Sequence, residues 1–242
     1  FQWLTIARLL PKQTFHVIDP DDGVIRVWVN EFPEVNNIKY YFTPTWYGKV
    51  VEEENNKWKG GVANSFTKIK GEIKEDDWIV VEMLNNLWAM AQGGFVSEIF
   101  QEGIGEYFLK ARKELKEGAK RLDALRGWTD WGVINKLHND DFIVPICYQF
   151  PCHVYMTTTV SKAISGGDED PDLKSFYGDS ALRLEGQKHN PFRAQSIFLF
   201  FKTRDEWKYS TYLKDRGRKW VENEALFSFA EQYLLEIASF KL

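Results

Sequence analysis

The sequence is poor in the residues that most often build reactive sites. Its 242 residues include two cysteines, Cys147 and Cys152, together with four histidines and three methionines. Two cysteines cannot form the disulfide framework of a small secreted scaffold, and so few thiols favour a reducing compartment. The start at Phe1 is compatible with a processed organellar protein, so the localisation stays open.

Long apolar runs and an excess of basic charge are also missing. The longest stretch without Asp, Glu, Lys, Arg or His, 83–97, contains Asn, Gln and Gly and is shorter than the about 20 apolar residues that a membrane-spanning helix needs. The chain has 31 basic and 35 acidic residues, whereas general nucleic-acid binders are usually basic. We therefore expect a soluble chain with no transmembrane segment and no general nucleic-acid binding. The basic stretch Lys208–Lys219 is still compatible with a local nucleic-acid-binding patch.

Sequence motifs for nucleotide, zinc-hydrolase, calcium and serine-hydrolase sites are absent. Gly103-x-Gly105 lacks the third glycine of a nucleotide loop and follows an apparent helix, so we interpret it as a break between two helices. The acidic segment 168–173 contains Pro171 and lacks the Gly and Glu positions of a calcium loop. We therefore expect no cofactor. The missing motifs also argue against an enzyme, but they do not decide the question.

Aromatic residues, by contrast, are abundant. They make up 16% of the chain, with 10 Trp, 10 Tyr and 18 Phe. Each aromatic side chain can bury roughly 150–250 Å², so most of the surplus is expected in the core. The remainder is expected in an interface or a ligand pocket, where Trp and Tyr are favoured.

The hydrophobic pattern predicts an α+β fold, with a single domain over 1–242 that holds an antiparallel or mixed β-sheet and about three main helices. A division into two subdomains near 127–141 is the alternative. Strands at 14–19 and 24–30 flank the turn-forming "PDDG" and predict a β-hairpin. Apolar residues at helical spacing predict helices from Asp76–Asp77 to Gly93–Gly94, over 106–126 and over 220–240. Further strands are predicted at 38–42, 46–51, 142–150, 153–160, 181–184 and 195–203.

The stretch "PICYQFPCHVY" at 145–155 carries the most chemistry-like residues. Cys147, Cys152 and His153 are candidate metal ligands, but zinc needs about four ligands and no second ligand pair is near in sequence. If "YQFP" closes a hairpin, the two cysteines face each other and could form a disulfide. The preferred interpretation is two free, buried thiols that act as small apolar groups.

A second candidate site lies at "HNDDF", 138–142. His138 and Asp140 stand just before a predicted strand, where catalytic groups often lie, and Asp130 comes from the Trp-rich "GWTDWG" upstream. Two carboxylates about 5–10 Å apart would suit a hydrolase. If the chain is an enzyme, we expect Asp140, His138 and Asp130 to form the catalytic group; the alternative is a turn in which Asn139 and Asp140 bond the backbone.

Three functions follow from these observations as hypotheses. The first is a non-catalytic structural or interaction protein, an accessory subunit of a larger assembly whose partners are other protein subunits. The second is a binding module for a small apolar or carbohydrate ligand, which would use the aromatic surplus. The third is a hydrolase that uses the carboxylates around 138–141.

Overall fold

The chain divides into two units. In the computed structural model, which describes residues 1–43, 56–116, 129–162, 182–216 and 220–239, the first unit is Lys12–Thr158. The second combines Phe1–Pro11, which contains helix α1 (Gln2–Leu9), with Thr159–Leu242. Whether 1–242 behaves as a single domain stays a prediction. None of the described helices is long and apolar enough to span a bilayer.

Strands and helices alternate along the first unit. Two π-helical segments, Asn56–Ala63 and Asn139–Ile143, lead directly into α3 and α7. The other elements, in chain order, are β1 Phe15–Asp19, α2 Val24–Glu31, β2 Ile38–Phe42, α3 Asn64–Glu72, β3 Trp78–Val81, α4 Leu84–Phe100, α5 Ile104–Lys116, α6 Thr129–His138, α7 Val144–Tyr148 and β4 His153–Met156. An alternation of this kind is typical of a parallel sheet with crossover helices.

The four strands of this unit form a parallel sheet in the order β2-β1-β3-β4. Phe15 pairs with Ile38 on one side and with Trp78 on the other, and Trp78 in turn pairs with His153. The predicted fold class is therefore wrong in two respects. The main sheet is parallel rather than antiparallel or mixed, and the described chain has more than three main helices.

Continuous apolar runs explain why β1 and β3 lie in the middle of this sheet. Every residue of "FHVID" and of "WIVV" is buried, as expected for strands covered on both faces. One face packs on an apolar cluster to which β1 and β3 contribute Ile18, Ile79 and Val81. Helices supply the rest, among them Phe66, Leu87 and Ile146.

The predicted hairpin at 14–30 is wrong in its second half. β1 is a strand, but "VIRVWVN" after the "PDDG" turn forms helix α2. Its first backbone N–H, at Val24, donates to Oδ2 of Asp19 over 3.0 Å, and a carboxylate that bonds the first N–H groups stabilises a helix start. The alternating pattern of 24–30 fits a strand, yet these residues form a helix, whose first N–H is bonded by Asp19.

The predicted helix from Asp76 to Gly94 is also only partly correct. Residues Trp78–Val81 are a strand, and helix α4 begins at Leu84 and continues through Gly94 to Phe100. A glycine pair usually ends a helix, but here Gly94 faces the ring of Trp58, and a Cβ at Gly94 would lie 3.1 Å from Cβ of Trp58. The pair therefore provides close packing rather than a helix end.

The predicted strand at 142–150, with its hairpin around "YQFP", is absent. These residues complete a π-helical turn and form the short helix α7, and only His153–Met156 of the next predicted strand belongs to the parallel sheet. Residues 56–63 are helical. The predicted strand at 46–51 and the acidic segment 168–173 lie outside the described residues.

The second unit contains two small antiparallel sheets. The elements are β5 Val160–Lys162, β6 Leu182–Leu184, α8 Asn190–Arg193, β7 Ser196–Lys202, β8 Trp207–Asp215, β9 Glu224–Ala225, a 3-10 turn Leu226–Ser228 and α9 Phe229–Ser239. Phe198 and Phe200 of β7 contact the ring of Phe229 with centroids 5.1 and 4.9 Å away. β7 forms where it was predicted, but it is half-buried, because one sheet face packs on α9.

Candidate functional site

Polar residues follow all four strands of the parallel sheet at its carboxyl edge. They are Thr43 after β2, Asp19 at the end of β1, Glu82 after β3 and Thr157 after β4. Backbone hydrogen bonds align them: Thr43 N–H donates to the carbonyl of Asp19 over 3.2 Å, and Thr157 N–H donates to the carbonyl of Val81 over 3.0 Å. We call these four residues the carboxyl-edge row.

The chain order makes this edge a natural binding position. From β1 the chain moves to β2 on one side, and the later strands β3 and β4 lie on the other side of β1. The gap between β1 and β3 is therefore the point where the strand order reverses. In open parallel sheets, ligands bind outside the carboxyl ends of the strands at such a point.

Asp19 is the most constrained member of the row. It has no exposed surface, and its Oδ2 accepts hydrogen bonds from the Val24 N–H at 3.0 Å and from the Tyr40 hydroxyl at 2.8 Å. Its other oxygen, Oδ1, is buried and has no hydrogen-bond partner among the described residues. Since a buried carboxylate oxygen without a partner is costly, this atom is a candidate contact for a ligand or an ion.

The charge state of Asp19 reflects this environment. Burial raises the pKa of Asp19, and the neighbouring Asp21 carboxylate raises it further, whereas the bonds from Val24 and Tyr40 lower it. The Tyr40 hydroxyl also lies 3.0 Å from Oδ1 of Asp22, so the β1–α2 turn places two carboxylates, those of Asp19 and Asp22, at one phenol. A bound cation would favour the ionised form of this group and lower the pKa of Asp19.

The other row members add oxygen atoms to the same edge. Thr43 is fully buried, and its Oγ1 has no hydrogen-bond partner among the described residues. Glu82 is 8% exposed, and the Thr157 hydroxyl lies 3.4 Å from the carbonyl of Val81. Carboxylate and hydroxyl oxygens are hard ligands, which suit magnesium or calcium.

A second buried polar cluster lies near the opposite end of the sheet. His16 has no exposed surface; its Nδ1 is 3.3 Å from the Tyr41 hydroxyl, and its Nε2 is 3.8 Å from Oδ2 of Asp77. Asp77 accepts from the backbone N–H groups of Thr14 and Lys74, both over 2.9 Å. Asp77 thus holds the segments that precede β1 and β3, so we interpret this cluster as structural.

The three residues predicted for a hydrolase lie on one continuous helical segment. Asp130 is in the first turn of α6, and His138 is its last residue, about 12 Å further along the helix axis. His138 is fully buried with its ring centroid 5.2 Å from that of Trp88, whereas Asp140 is exposed and paired with Lys136 at 3.0 Å. The structure does not join Asp130 to the other two, and the hydrolase remains a prediction.

The predicted thiol site is dispersed between two elements. Cys147 lies on α7 and Cys152 just before β4; neither forms a disulfide, both are half-buried, and both pack against the apolar cluster on the face of the parallel sheet. Burial, with a smaller contribution from Cys147, raises the pKa of Cys152 to about 12. His153 stacks near Trp78 with centroids 4.7 Å apart. No group of three or more His, Cys, Asp or Glu in the described ranges is arranged to hold a metal ion.

Sequence reasoning missed the carboxyl-edge row, although a signal was available. "FHVID" and "WIVVE" are both apolar runs that end in an acidic residue, a pattern that places carboxylates at strand ends. This pattern indicates a shared sheet edge only if both runs are parallel strands. From the sequence, the first run was interpreted as a hairpin strand and the second as part of a helix. No family model, curated protein or solved structure matches the chain, so the site is interpreted from its own chemistry.

Proposed function

We propose that the protein binds a small phosphorylated ligand through a divalent cation at the carboxyl edge of its parallel sheet. The observation that carries this proposal is the buried, unpartnered Oδ1 of Asp19 at the point where the strand order reverses. The proposal replaces the apolar or carbohydrate ligand inferred from aromatic content, because the edge presents carboxylates and hydroxyls.

The oxygen donors of this edge favour magnesium over a cation whose ligands all come from the protein. Magnesium is usually held by one or two carboxylates, with water and substrate phosphate oxygens completing the octahedron. The Asp21 carboxylate is near enough to raise the pKa of Asp19, and the two residues would supply the carboxylates. A phosphate on the ligand would supply further oxygens, which explains how a site without three protein ligands could hold the ion.

Thermal unfolding with magnesium and a ligand panel tests this proposal. The panel contains ATP, ADP, ribose 5-phosphate and inorganic phosphate, and each compound is measured with and without about 5 mM magnesium. Because a ligand that binds only the folded state stabilises it, we expect at least one compound to raise the melting temperature in a magnesium-dependent way. Titration calorimetry then gives the dissociation constant.

Asp21→Asn is the informative variant, because Asp21 is exposed and its carboxylate lies beside that of Asp19. We expect it to weaken magnesium-dependent binding at least tenfold while the melting temperature without ligand stays unchanged. Asp205→Asn, at the exposed turn between β7 and β8, removes the same charge elsewhere and should leave binding intact. Equal effects of the two variants, or no ligand-dependent shift with any compound, would contradict the proposal.

A second proposal is that the protein acts as a non-catalytic accessory subunit. The exposed apolar residues of α2 favour it: Ile25 and Val29 are 37% and 60% exposed, and a spacing of four puts them on one helix face. Light scattering and co-purification from the native source test this reading. Replacement of both residues by Ser should release a partner protein, whereas the same partner retained by the double variant would contradict it.

A further inference from the structure

The second unit carries a local excess of positive charge. Residues 182–216 contain eight basic and four acidic side chains, although the whole chain has a net charge of −4. Lys188, His189 and Arg216 are exposed, and Lys214 is half-buried. We call these four residues, together with Phe192, the basic patch.

Direct bonds hold the two parts of this patch side by side. The Lys214 ammonium donates to the carbonyl of Phe192 over 2.7 Å, and the Arg216 N–H donates to the carbonyl of Gln195 over 2.9 Å. The register of β7 and β8 is fixed at the same place, where Ser196 faces Asp215. The end of β8 is thus fastened to the α8 turn, so the patch is part of the folded scaffold.

The nearby cations repel one another. Burial lowers the pKa of Lys214, and the positive charge of Arg216 lowers it further. Some acidic residues of this segment are engaged elsewhere: Glu206 pairs with Lys208 at 3.1 Å near the other end of β8, and Glu185 accepts from the Thr159 hydroxyl. Cations kept together in this way attract an external anion.

Aromatic surface accompanies the charge. Phe192 is 51% exposed, and its ring is 6.0 Å from that of His189 at a tilt of 37°. Trp220, 59% exposed, comes just before Val221, whose carbonyl accepts from Thr211. Because β9 runs antiparallel to β8, Trp220 lies toward the Asp215 end of β8. An exposed large ring beside several cations is costly in water and suited to stacking on a flat, anionic partner.

We propose that the basic patch binds single-stranded nucleic acid, with Lys188, Lys214 and Arg216 on the backbone phosphates and Phe192 stacked on a base. Single strands are bound by the combination of a cationic surface and exposed rings, and this combination tolerates any base sequence. A duplex hides the faces of its bases and could not use Phe192. An acidic peptide would engage the cations without the ring. The proposal is independent of the carboxyl-edge ligand, which lies in the other unit.

Fluorescence anisotropy of a labelled 20-nucleotide poly(dT) tests the proposal with the full chain. We expect Lys188→Gln combined with Arg216→Gln to weaken binding at least tenfold. The slope of log affinity against log salt should fall by about 1.4, because each phosphate contact on a single strand contributes about 0.7. We expect Phe192→Ala to weaken binding at least fivefold with an unchanged salt slope, as the loss of a stacked base requires.

The matched control is Lys202→Gln combined with Arg204→Gln. These exposed cations lie at the opposite end of the β7–β8 hairpin, so the same loss of charge there should change affinity less than twofold. Melting temperatures of all variants check that folding is retained. Equal weakening by the control pair would overturn the proposal, because binding would then follow total charge.

Four competitors complete the test. Unlabelled poly(dT) should displace the probe, whereas duplex DNA of the same length, poly-glutamate and inorganic phosphate should do so at least tenfold less well. Equal displacement by the duplex would overturn the choice of a single strand. Equal displacement by poly-glutamate or by phosphate would identify a general anion surface, and absence of poly(dT) binding at low salt would end the idea.

Discussion

Burial decides the behaviour of individual ionisable residues in this protein. His16 is the clearest case, because burial lowers its pKa, and Lys39 lowers it further, while Asp77 and Glu72 act in the opposite direction. The ring lies against the Tyr41 hydroxyl and has no exposed surface. His16 is therefore neutral in the folded state at a pH at which it is already charged in the unfolded chain.

We predict that the free energy of unfolding falls as the pH drops below about 6.5, the ordinary pKa of histidine. Below that value the unfolded chain binds more protons at His16 than the folded chain does. The free energy of unfolding therefore falls by up to about 1.4 kcal/mol per pH unit until the pH reaches the lowered pKa of His16 in the folded state. Urea unfolding at pH 8.0, 6.5 and 5.5 measures it. His16→Gln should flatten this dependence, and an identical pH profile in the variant would refute the assignment.

The thiol of Cys152 gives a second prediction. Because burial raises its pKa to about 12, only about one molecule in ten thousand carries the thiolate at pH 8, and the thiolate is the reactive form. We expect iodoacetamide to label Cys152 at least a hundredfold more slowly in the folded protein than in urea. Peptide mass spectrometry over time measures both rates. Rapid labelling of the folded protein would show that the thiol is accessible and acidic.

At the scale of elements, close packing overrides local signals. Gly94 lies inside α4 and beside the ring of Trp58, which is 5% exposed. Alanine is favoured over glycine in helices by about 1 kcal/mol, but a Cβ at Gly94 would lie 3.1 Å from Cβ and 3.3 Å from Cγ of the buried Trp58, so Trp58 would have to shift. A helix-breaking residue is therefore tolerated here because nothing larger fits.

We predict opposite effects for two glycine substitutions in helices. Gly94→Ala should lower the free energy of unfolding by about 1–2 kcal/mol, because overpacking against Trp58 exceeds the gain in helix propensity. Gly132→Ala, in α6, should raise it by about 0.5–1 kcal/mol, since its Cβ would meet no atom within 4 Å. Chemical denaturation compares the two. Stabilisation by Gly94→Ala would show that Trp58 can move at little cost.

Sequence patterns predicted several elements and failed on others for a physical reason. "IKYYF" becomes strand β2 over the predicted residues, and "SIFLFF" becomes β7. "VIRVWVN" has the alternation of a strand but becomes α2, and the Asp19 carboxylate accepts a hydrogen bond from the first N–H of this helix. "WIVV" lies within an apparent helical rhythm but becomes β3, because pairing with β1 and β4 buries both of its faces. A short apolar run fits both the strand and the helix periodicity, so its contacts in the tertiary structure decide which of the two it forms.

At the scale of the whole molecule, the two units differ in sheet type. The first contains the parallel sheet and the proposed ligand edge, and the second contains the antiparallel sheets and the basic patch. The strand pairs of the parallel sheet and the apolar cluster on its face involve only residues of Lys12–Thr158.

We predict that a fragment of residues 12–158 folds without the rest of the chain. All four parallel strands and their crossover helices lie inside it, and a unit of about 150 residues can bury a core of its own. Far-UV circular dichroism and a sigmoidal urea transition would report folding. A broad, non-cooperative transition would mean that the chain folds only as one domain. A folded fragment should also retain the magnesium-dependent shift proposed for the carboxyl edge.

The sequence by itself determined the composition and the limits of this protein. It excluded a disulfide scaffold, placed strands at 15–19, 38–42 and 196–202, and supplied the aromatic residues that pack the second unit. Only the tertiary structure decided which strands pair. Parallel pairing joins residues far apart in sequence, so no local pattern could predict that Asp19, Thr43, Glu82 and Thr157 end at the same sheet edge. The carboxyl-edge row follows from strand order, because every strand of a parallel sheet ends on the same side.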